Sequence, residues 1–302
     1  MEAVIKVEGL CKDFGAVNAV KGIDFEVKKG ELFGFLGING AGKSTTINML
    51  CTVLKPTAGN VHICGMQLGK SDDEIRKKIG VVYQNNCLDE RLTVKENLFI
   101  RGALYENNQK KLSEDVARVC EVLQLEEVYN RRFGKLSGGW KRRCEIAAAL
   151  MHTPEILFLD EPTTGLDPAT RKDVWSVIES LRRNTGMTIF LTTHYMEEAA
   201  GANRIIIIDK GSVRAQGTPF ELKEKYASDT VKIYCSKENG DKNFQTLSDQ
   251  GFSVKKEEYG LSFPIKNTVD AIEPVHSLKE QITGFEVIQG NMDDVFLNAC
   301  SN

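Results

Sequence analysis

One short motif constrains the fold of this chain more than any other, the glycine-rich segment GINGAGKS at residues 37–44. It matches the pattern G-x-x-x-x-G-K-S/T and lies between the apolar run LFGFLG and the segment KSTTINMLCTVL, which has helical spacing. In the order strand, glycine-rich turn and helix, backbone N–H groups converge on phosphate oxygens and the helix N-terminus attracts an anion. The motif therefore predicts an α/β core with a phosphate-binding loop rather than a merely structural turn.

The residues of this loop are candidate nucleotide contacts. We expect Lys43 to reach the β and γ phosphates and the Ser44 hydroxyl to ligate Mg²⁺. The predicted nucleotide contacts in the loop are Gly37, Asn39, Gly40, Ala41, Gly42, Lys43, Ser44 and Thr45.

Two carboxylates follow one another at the end of the apolar segment EILFLDEP, Asp160 and Glu161. In open α/β sheets, ligands bind beyond the carboxyl ends of the strands. We therefore predict that Asp160 holds Mg²⁺, usually through water, and that Glu161 is the general base that polarises an attacking water. The alternative, a pair of acids that merely faces solvent, is weakened by the phosphate loop on the same chain.

Two uncharged polar residues end other apolar segments: Gln84 ends IGVVYQ, and His194 ends MTIFLTTH. Each alone is more simply a satisfied loop residue. The ends of parallel strands, however, fall on the same edge of a sheet as Asp160. Gln84 is then predicted to meet Mg²⁺ or the attacking water, and His194 to meet the γ-phosphate.

Apolar strands alternate with helices through most of the chain, which predicts a largely parallel sheet covered on both faces. The predicted fold class is α/β: a P-loop NTPase core with an N-terminal antiparallel β subdomain and a helical subdomain inserted at about residues 88–153. In that subdomain, Thr93 with Glu96 and, separately, Ser113 are predicted N-caps. A polar stretch then joins the core, residues 1–226, to a small α+β module, residues 227–302, with the order β-α-β-β-α-β-α.

Composition weighs against several classes of function. The net charge of −3 over 302 residues gives no global reason to expect nucleic-acid binding, although a local basic patch stays open. The eight cysteines form no C-x-x-C pair, which predicts buried reduced thiols rather than a zinc site and places the chain in the cytosol. The N-terminus lacks a signal pattern, and no apolar run approaches the roughly 18 residues that span a bilayer. If the protein serves a membrane, we expect it to do so through a partner.

A second glycine-containing turn, LSGGW at residues 136–140, opens the helical segment KRRCEIAAAL. In isolation, Ser-Gly-Gly before a helix is usually a turn and a cap. The chain, however, carries an ordered set: the phosphate loop, Gln84, LSGG, the apolar segment ending in Asp-Glu, GLDP at 165–168, and His194. With these six motifs the sequence resembles the nucleotide-binding subunit of ATP-binding-cassette (ABC) transporters over about residues 3–225.

The resemblance implies ATP and Mg²⁺ as ligands and a site shared between two copies of the chain. In that family two subunits dock head to tail, and the LSGG of one closes on the γ-phosphate held by the other. Ser137, Gly138 and Gly139 would then serve the partner's ATP, and Asp167 would lie at the dimer seam. Phe14 fits the aromatic that stacks on adenine, although a core aromatic stays open.

The sequence departs from the family at two positions. Ile38 stands where proline is frequent, which changes loop stiffness but removes no donor. Trp140 stands where glutamine or methionine is usual, so a hydrogen bond from a glutamine is lost, and we expect this tryptophan to pack at the subunit seam.

The C-terminal segment GNMDDVFLNAC resembles the closing motif of the drug- and lipid-exporting, daunorubicin-resistance-like branch, with a generic amphipathic helix as the alternative. The implied function is an ATP-hydrolysing subunit that powers export through a separate membrane permease, at the inner face of the cell membrane. The module at 227–302 would be regulatory or would support dimerisation. The alternative is a soluble ABC-type ATPase with a regulatory, nucleic-acid or ribosome-related role, although no nucleic-acid partner is expected.

Overall fold

A computed structural model describes residues 2–301 of the chain. The described residues form two compact units, which divide between Gln216 and Gly217. The strands of the first unit are β1 (Ala3–Phe14), β2 (Val17–Lys28), β3 (Leu32–Leu36), β4 (Ala58–Ile63), β5 (Met66–Gln67), β6 (Ile79–Val82), β7 (Ile156–Asp160), β8 (Thr188–Thr193), β9 (Arg204–Asp209) and β10 (Ser212–Gly217). Its helices are α1 (Lys43–Leu50), α2 (Asp72–Lys78), α3 (Val94–Gly102), α4 (Gln109–Leu123), α5 (Gly138–Ala149) and α6 (Pro168–Thr185).

The central sheet of this unit has the order β10-β9-β3-β8-β7-β6, and its pairs from β9 to β6 are parallel. Every residue of β3, β7 and β8 is buried, as expected for parallel strands covered on both faces. Their carboxyl ends point to one edge, so the residues that follow them meet there. This topology confirms the predicted α/β fold class.

A second sheet precedes and flanks the first, with the antiparallel order β2-β1-β4-β5. Aromatic rings join the two sheets: the ring of Phe25 on β2 lies 5.6 Å from that of Phe33 and 6.1 Å from that of Phe190 in the central sheet. One apolar core therefore holds both sheets, and the predicted N-terminal antiparallel subdomain is present.

Helices α3, α4 and α5 lie between β6 and β7, in the region predicted to be a helical subdomain. Thr93 caps α3 in a reciprocal pair with Glu96, as predicted. The predicted cap at Ser113 is wrong. Asn108 caps α4 one turn earlier, and the Ser113 hydroxyl donates to Gln109 O inside the helix, because an asparagine side chain competes well for the first free N–H groups.

The second unit consists of α7 (Pro219–Tyr226), β11 (Asp229–Tyr234), α8 (Lys237–Asp249), β12 (Lys255–Glu257), β13 (Gly260–Ile265), α9 (Ile272–Ser277), β14 (Gly284–Ile288) and α10 (Met292–Cys300). Its strands form an antiparallel sheet with the order β12-β13-β11-β14. From β11 onward this is the predicted order, closed as a split βαβ sheet of the ferredoxin-like kind.

The division between the units lies before Gly217, earlier than the boundary predicted after residue 226. Helix α7 belongs to the second unit because it packs with α10, where Asn298 Nδ2 donates to Tyr226 O at 2.7 Å. Within residues 2–301, no helix is both long enough and apolar enough to cross a bilayer.

Candidate nucleotide-binding and catalytic site

The phosphate loop runs from the end of β3 to the first turn of α1 and contains all eight predicted contacts of residues 37–45. Gly42, the residue before α1, has φ of 111°, and a Cβ there would lie 2.7 Å from Ala19 O, so only glycine fits. The first turn of α1 has no side-chain cap. Its N–H groups are therefore left for a ligand, and Ser44 beside them is exposed.

Lys43 is buried at the centre of this loop, with only 4% of its side chain exposed. Its ammonium donates to Gly37 O at 2.7 Å and to Ile38 O at 3.2 Å, and it lies 3.2 Å from Glu161 Oε1. A buried ammonium of this kind is costly unless acceptors surround it. The loop thus holds a positive charge ready for an anionic ligand.

Asp160 ends β7 as a buried carboxylate. It accepts a hydrogen bond from Thr192 Oγ1 at 2.5 Å, and the Ser44 side chain bonds to it as well. Burial raises the pKa of Asp160, although these hydrogen bonds and the charge of Lys43 oppose the shift. The carboxylate and the Ser44 hydroxyl are hard oxygen donors close to the phosphate loop, which is the ligand set that Mg²⁺ prefers.

Glu161 is the point where the other predicted catalytic side chains converge. Its Oε2 accepts from Gln84 Nε2 at 3.3 Å and from Thr164 Oγ1 at 3.1 Å, and it lies 3.0 Å from His194 Nδ1. Gln84 and His194 follow β6 and β8, so the parallel sheet brings them to the same edge, as the strand pattern indicated. The four polar groups, Lys43 included, surround one carboxylate.

The environment of Glu161 controls both its charge and its backbone. Burial by itself raises the pKa of Glu161, but the charge and hydrogen bond of Lys43, the hydrogen bond of Thr164 and the charge of His194 together lower it. The residue has φ of 47°, in the left-handed region that non-glycine residues rarely adopt. Strain of this kind persists where the surroundings fix a residue, which is frequent at functional sites.

The signature turn, Ser137–Gly139, opens α5 and faces the loop before α6. A Cβ on Gly138 would lie 2.6 Å from Leu166 Cδ2, and one on Gly139 would lie 2.5 Å from Thr170 Cγ2. Ser137 is the N-cap residue of α5 but makes no side-chain cap bond, and it is exposed. The turn is therefore closely packed on one side, while its hydroxyl is left for another acceptor or donor.

Asp167 and Phe14 complete the predicted contacts. Asp167 caps α6 by accepting from Ala169 N at 3.1 Å and Thr170 N at 3.0 Å. Phe14 ends β1 with half of its surface exposed and with Lys12 Nζ 5.1 Å from the ring centre. An aromatic so exposed is not part of the core, so the core alternative for Phe14 fails and stacking on a base stays a prediction.

Comparison with known proteins identifies the family. A family model described as ABC transporter matches residues 20–164. The chain is 36% identical over 301 residues to the daunorubicin/doxorubicin resistance ATP-binding protein DrrA of Streptomyces peucetius, over 97% of this chain and 91% of that protein. It is 35% identical over 300 residues to Nod factor export ATP-binding protein I of Paraburkholderia xenovorans, over 98% of this chain and 96% of that protein. The chain belongs to the family of ABC transporter ATP-binding proteins.

Solved structures agree with this assignment of the ABC ATPase. The cbiO1 protein of Clostridium perfringens, part of an ABC transporter complex, superposes with a TM-score of 0.69 at 28% identity, over 74% of this chain and 91% of that one. The dimeric cassette MJ0796 bound to ADP and Pi gives a TM-score of 0.64 at 29% identity, over 71% and 98%. The predicted family and its drug-exporter branch are confirmed. The chain is an ATPase subunit of a transporter, in a family whose members bind ATP, form dimeric cassettes and work with membrane permeases.

Two residues of the ABC ATPase escaped the sequence analysis. Arg142 and Glu145 are buried on α5, each 5% exposed, and both contact the loop that carries Gln84. Their signal in the sequence was faint: two charges three positions apart on a helix that is otherwise rich in alanine, RRCEIAAAL. Nothing in that pattern names the loop they hold.

Trp140 is half-buried beside the signature turn, and the Arg143 guanidinium lies 5.1 Å from its ring centre. That contact is a cation–π pair within one helix. The expectation that Trp140 packs at a subunit seam stays a prediction.

Proposed function

We propose that this ABC ATPase powers export through a separate membrane permease, by hydrolysing ATP at a site that two copies of the chain share. The observation that carries the catalytic part is the convergence of Gln84, His194, Thr164 and Lys43 on the carboxylate of Glu161. Export is supported by whole-length relatives named for drug resistance and for Nod factor export. Those matches favour a transporter over a soluble regulatory or ribosome-related ATPase.

In this proposal Glu161 accepts the proton of the attacking water. Its lowered pKa keeps it ionised at neutral pH, and Gln84 and His194 hold its Oε2. The Lys43 ammonium pairs with Glu161 in this structure and would also bind the β and γ phosphates of ATP. Drawing Lys43 toward phosphate would weaken the Lys43–Glu161 pair and raise the basicity of Glu161 when substrate is present.

Mg²⁺ would be held by Ser44 and Asp160, with Gln84 as a further ligand. Within residues 2–301 no cluster of three or more His, Cys, Asp or Glu side chains forms a metal cage. The oxygen donors of Ser44 and Asp160 fit Mg²⁺, which is usually held by one or two protein oxygens together with substrate phosphates and water. When bound, the ion would neutralise charge that develops on the transferred phosphoryl group.

The second half of the site would come from the partner copy in a head-to-tail dimer. The exposed hydroxyl of Ser137, the N-terminus of α5 at Gly138 and Gly139, and Asp167 beside them would close on the partner's γ-phosphate. The support is that Ser137 leaves its own helix uncapped while Gly139 is fixed against α6. Phe14 would stack on the adenine of the ATP held by its own chain.

The permease would dock on a groove next to the Gln84 loop. A cavity of about 270 Å³ there is lined by Val53, Arg76, Cys87, Arg101, Tyr105 and Glu145 among others. Ile100 and Leu104 add exposed apolar surface close by in sequence, at 55% and 69% exposure. An apolar patch with a polar rim is suited to a protein partner. Such docking would hold the subunit at the inner face of the membrane, and the unit at 217–302 would regulate or dimerise it.

The test is Glu161→Gln in the full chain. We expect ATP hydrolysis to fall by about 100-fold or more while ATP binding persists, because the phosphate loop is unchanged. The matched control is Glu155→Gln, at the other end of the same strand, whose carboxylate pairs with Lys78 at the surface. Normal turnover by Glu161→Gln would overturn the assignment of the base.

A second experiment tests the permease groove. The full chain should co-purify with a polytopic membrane protein, and Leu104→Glu should abolish this co-purification.

A further inference from the structure

Helix α5 contains two buried charged side chains that take no part in the proposed hydrolysis. Arg142 and Glu145 are each only 5% exposed and lie one turn apart on the helix. Burial of a charged side chain is strongly unfavourable unless hydrogen bonds compensate it. Where these hydrogen bonds go therefore indicates what the two residues do.

Both side chains bond to the backbone of one loop, residues 83–88. Arg142 donates to Tyr83 O at 2.7 Å and to Gln84 O at 3.0 Å. Glu145 Oε1 accepts from Cys87 N at 2.6 Å and from Leu88 N at 3.0 Å. The guanidinium thus holds the beginning of the loop, the carboxylate holds its end, and all four bonds are charge-assisted.

The loop between these two points connects two functional places. Gln84 near its start donates to Glu161 Oε2 at 3.3 Å. Cys87 near its end is exposed and lines the groove proposed for the permease. The helix that holds the loop starts at the signature turn and is 12 residues long, about 18 Å.

We propose that Arg142 and Glu145 are positioning residues that clamp the Gln84 loop to α5 and so set the placement of Gln84 on Glu161. The clamp also makes the loop move together with α5. Closure of the signature turn on a partner's ATP would therefore change the position of Gln84, and so would binding of the permease in the groove. This inference rests on the proposed roles of Glu161 and Ser137.

A purely structural role predicts something different. If the two charges only stabilised the subdomain, their loss would lower stability without any specific dependence on Gln84. If they act through Gln84, their effect must disappear once the Gln84 side chain is removed. A double-mutant cycle separates these cases.

The experiment compares kcat and KM for ATP in the full chain for Arg142→Lys, Arg142→Ala, Gln84→Ala and the Arg142/Gln84 double variants. We expect Arg142→Ala to lower kcat by about 10- to 100-fold with KM within about 3-fold, as for a misplaced catalytic group. Arg142→Lys should lie between, since one ammonium cannot match the fork of a guanidinium. In the double variants the loss should be no larger than in Gln84→Ala alone. Multiplicative losses would overturn the proposal.

The matched control is Arg131→Ala, an exposed arginine of the same subdomain that pairs only with Glu127 among the described ion pairs. Its kcat should match that of the parent chain. Glu145→Gln keeps an oxygen acceptor but loses the charge, so it should fold and lower kcat by a smaller factor than Arg142→Ala. If it leaves both kcat and the loop unchanged, the proposal fails at that residue.

The loop itself provides a readout that does not depend on catalysis. The labelling rate of the Cys87 thiol by a maleimide, read by mass spectrometry of its own peptide, should rise several-fold in Arg142→Lys and Glu145→Gln. An unchanged rate would overturn the clamp. If instead Glu161→Gln hydrolyses ATP normally, the proposed function fails, while the Cys87 measurement still decides whether the clamp exists.

Discussion

The chain has two glycine-containing turns that open helices, and they are built in different ways. In the phosphate loop, Gly42 is needed because its backbone is left-handed and Ala19 O lies against it. In the signature turn, Gly138 and Gly139 have ordinary backbone angles, and side chains before and on α6 fill the space where Cβ atoms would stand. The first turn is shaped by backbone conformation and the second by packing.

The chemistry around the two turns differs in the same sense. The phosphate loop encloses a buried Lys43 that already has carbonyl and carboxylate partners within its own chain. The signature turn presents an exposed Ser137 that makes no cap bond of its own. A buried cation in one turn and an exposed hydroxyl without a cap bond in the other are what we expect if two copies of the chain share each site. Substitutions in and beside each turn can therefore test this difference.

The largest effect should come from complementation between the turns. In a Glu161→Gln background, Lys43→Ala disables the phosphate loop and Ser137→Arg disables the signature turn, so neither chain alone should form an ATP-driven dimer. A mixture of the two retains one intact composite site per heterodimer and should recover up to about half of the parent dimer, the statistical share of mixed pairs. Size-exclusion chromatography with light scattering measures this.

Ser113→Arg is the control for that mixture, because Ser113 is an exposed residue of α4 and belongs to neither turn. It should dimerise like the parent. A mixture with no dimer at all would contradict a shared site and would make the signature turn a local structural element.

The next effect concerns the glycines. Gly42→Ala should lower stability by roughly 1–3 kcal/mol because the new Cβ meets backbone in a left-handed conformation. Gly139→Ala should lower it by a similar 1–3 kcal/mol through overpacking, but here the obstacle is the Thr170 methyl group. Thr170→Ser removes that methyl and keeps the hydroxyl bonded to Asp167, so it should rescue Gly139→Ala and not Gly42→Ala. Urea unfolding of the nucleotide-free chain measures all of these variants, and equal rescue, or none, would contradict the comparison.

Sequence patterns predicted which side chains meet at the carboxyl ends of the central sheet. Gln84, Glu161 and His194 each follow an apolar strand, and strand alternation with helices implies a parallel sheet whose carboxyl ends meet. The pattern of strands and helices therefore predicts that these side chains lie close together, because every parallel strand ends at the same edge of the sheet. The fold class was predictable for the same reason.

Other features were not predictable because they depend on partners far along the chain. Arg142 bonds to carbonyls 58 and 59 positions away, and no local pattern specifies that pairing. The packing of the signature turn is another case, because the side chains against Gly138 and Gly139 are Leu166 and Thr170, which come from the separate segment before and on α6. The predicted start of α4 was wrong because the sequence around Ser113 also fits the pattern of an N-cap. In the structure Asn108 accepts from the free N–H groups of the first turn, so the helix begins earlier.

An effect of comparable size is expected at Phe14, on the phosphate-loop side. Phe14→Ala should weaken ATP binding by roughly 1–3 kcal/mol, the usual range for a base stacked on an aromatic ring. Affinity for inorganic tripolyphosphate, which has no base, should not change, and Phe14→Tyr should bind ATP normally. The control is Phe220→Ala, an aromatic change in the second unit at a residue that is 70% exposed, against 50% for Phe14. An equal loss for ATP and tripolyphosphate in calorimetric titration would show that Phe14 supports the loop rather than the base.

The smallest effect compares two aspartates, Asp160 beside the phosphate loop and Asp167 beside the signature turn. Asp160 is buried, and burial raises its pKa, so keeping this carboxylate charged destabilises the fold. Asp160→Asn keeps an acceptor for the Thr192 hydroxyl, and we expect it to stabilise the nucleotide-free chain by about 0.5–2 kcal/mol. Asp167 is the reverse, because hydrogen bonds from Thr170 lower its pKa, and Asp167→Ala should destabilise the chain.

The size of the destabilisation by Asp167→Ala depends on pH in a defined way. A carboxylate with a lowered folded-state pKa contributes stability that is fully present above its unfolded pKa of about 3.9 and is lost as the pH falls through the folded value. The destabilisation by Asp167→Ala should therefore be constant from pH 8 to about pH 5 and shrink only below that range, as measured by thermal unfolding. If Asp160→Asn instead destabilised the nucleotide-free chain, the carboxylate beside the phosphate loop would be a structural group, and the contrast between a site that holds charge for a ligand and a turn that is stabilised by its own contacts would be lost.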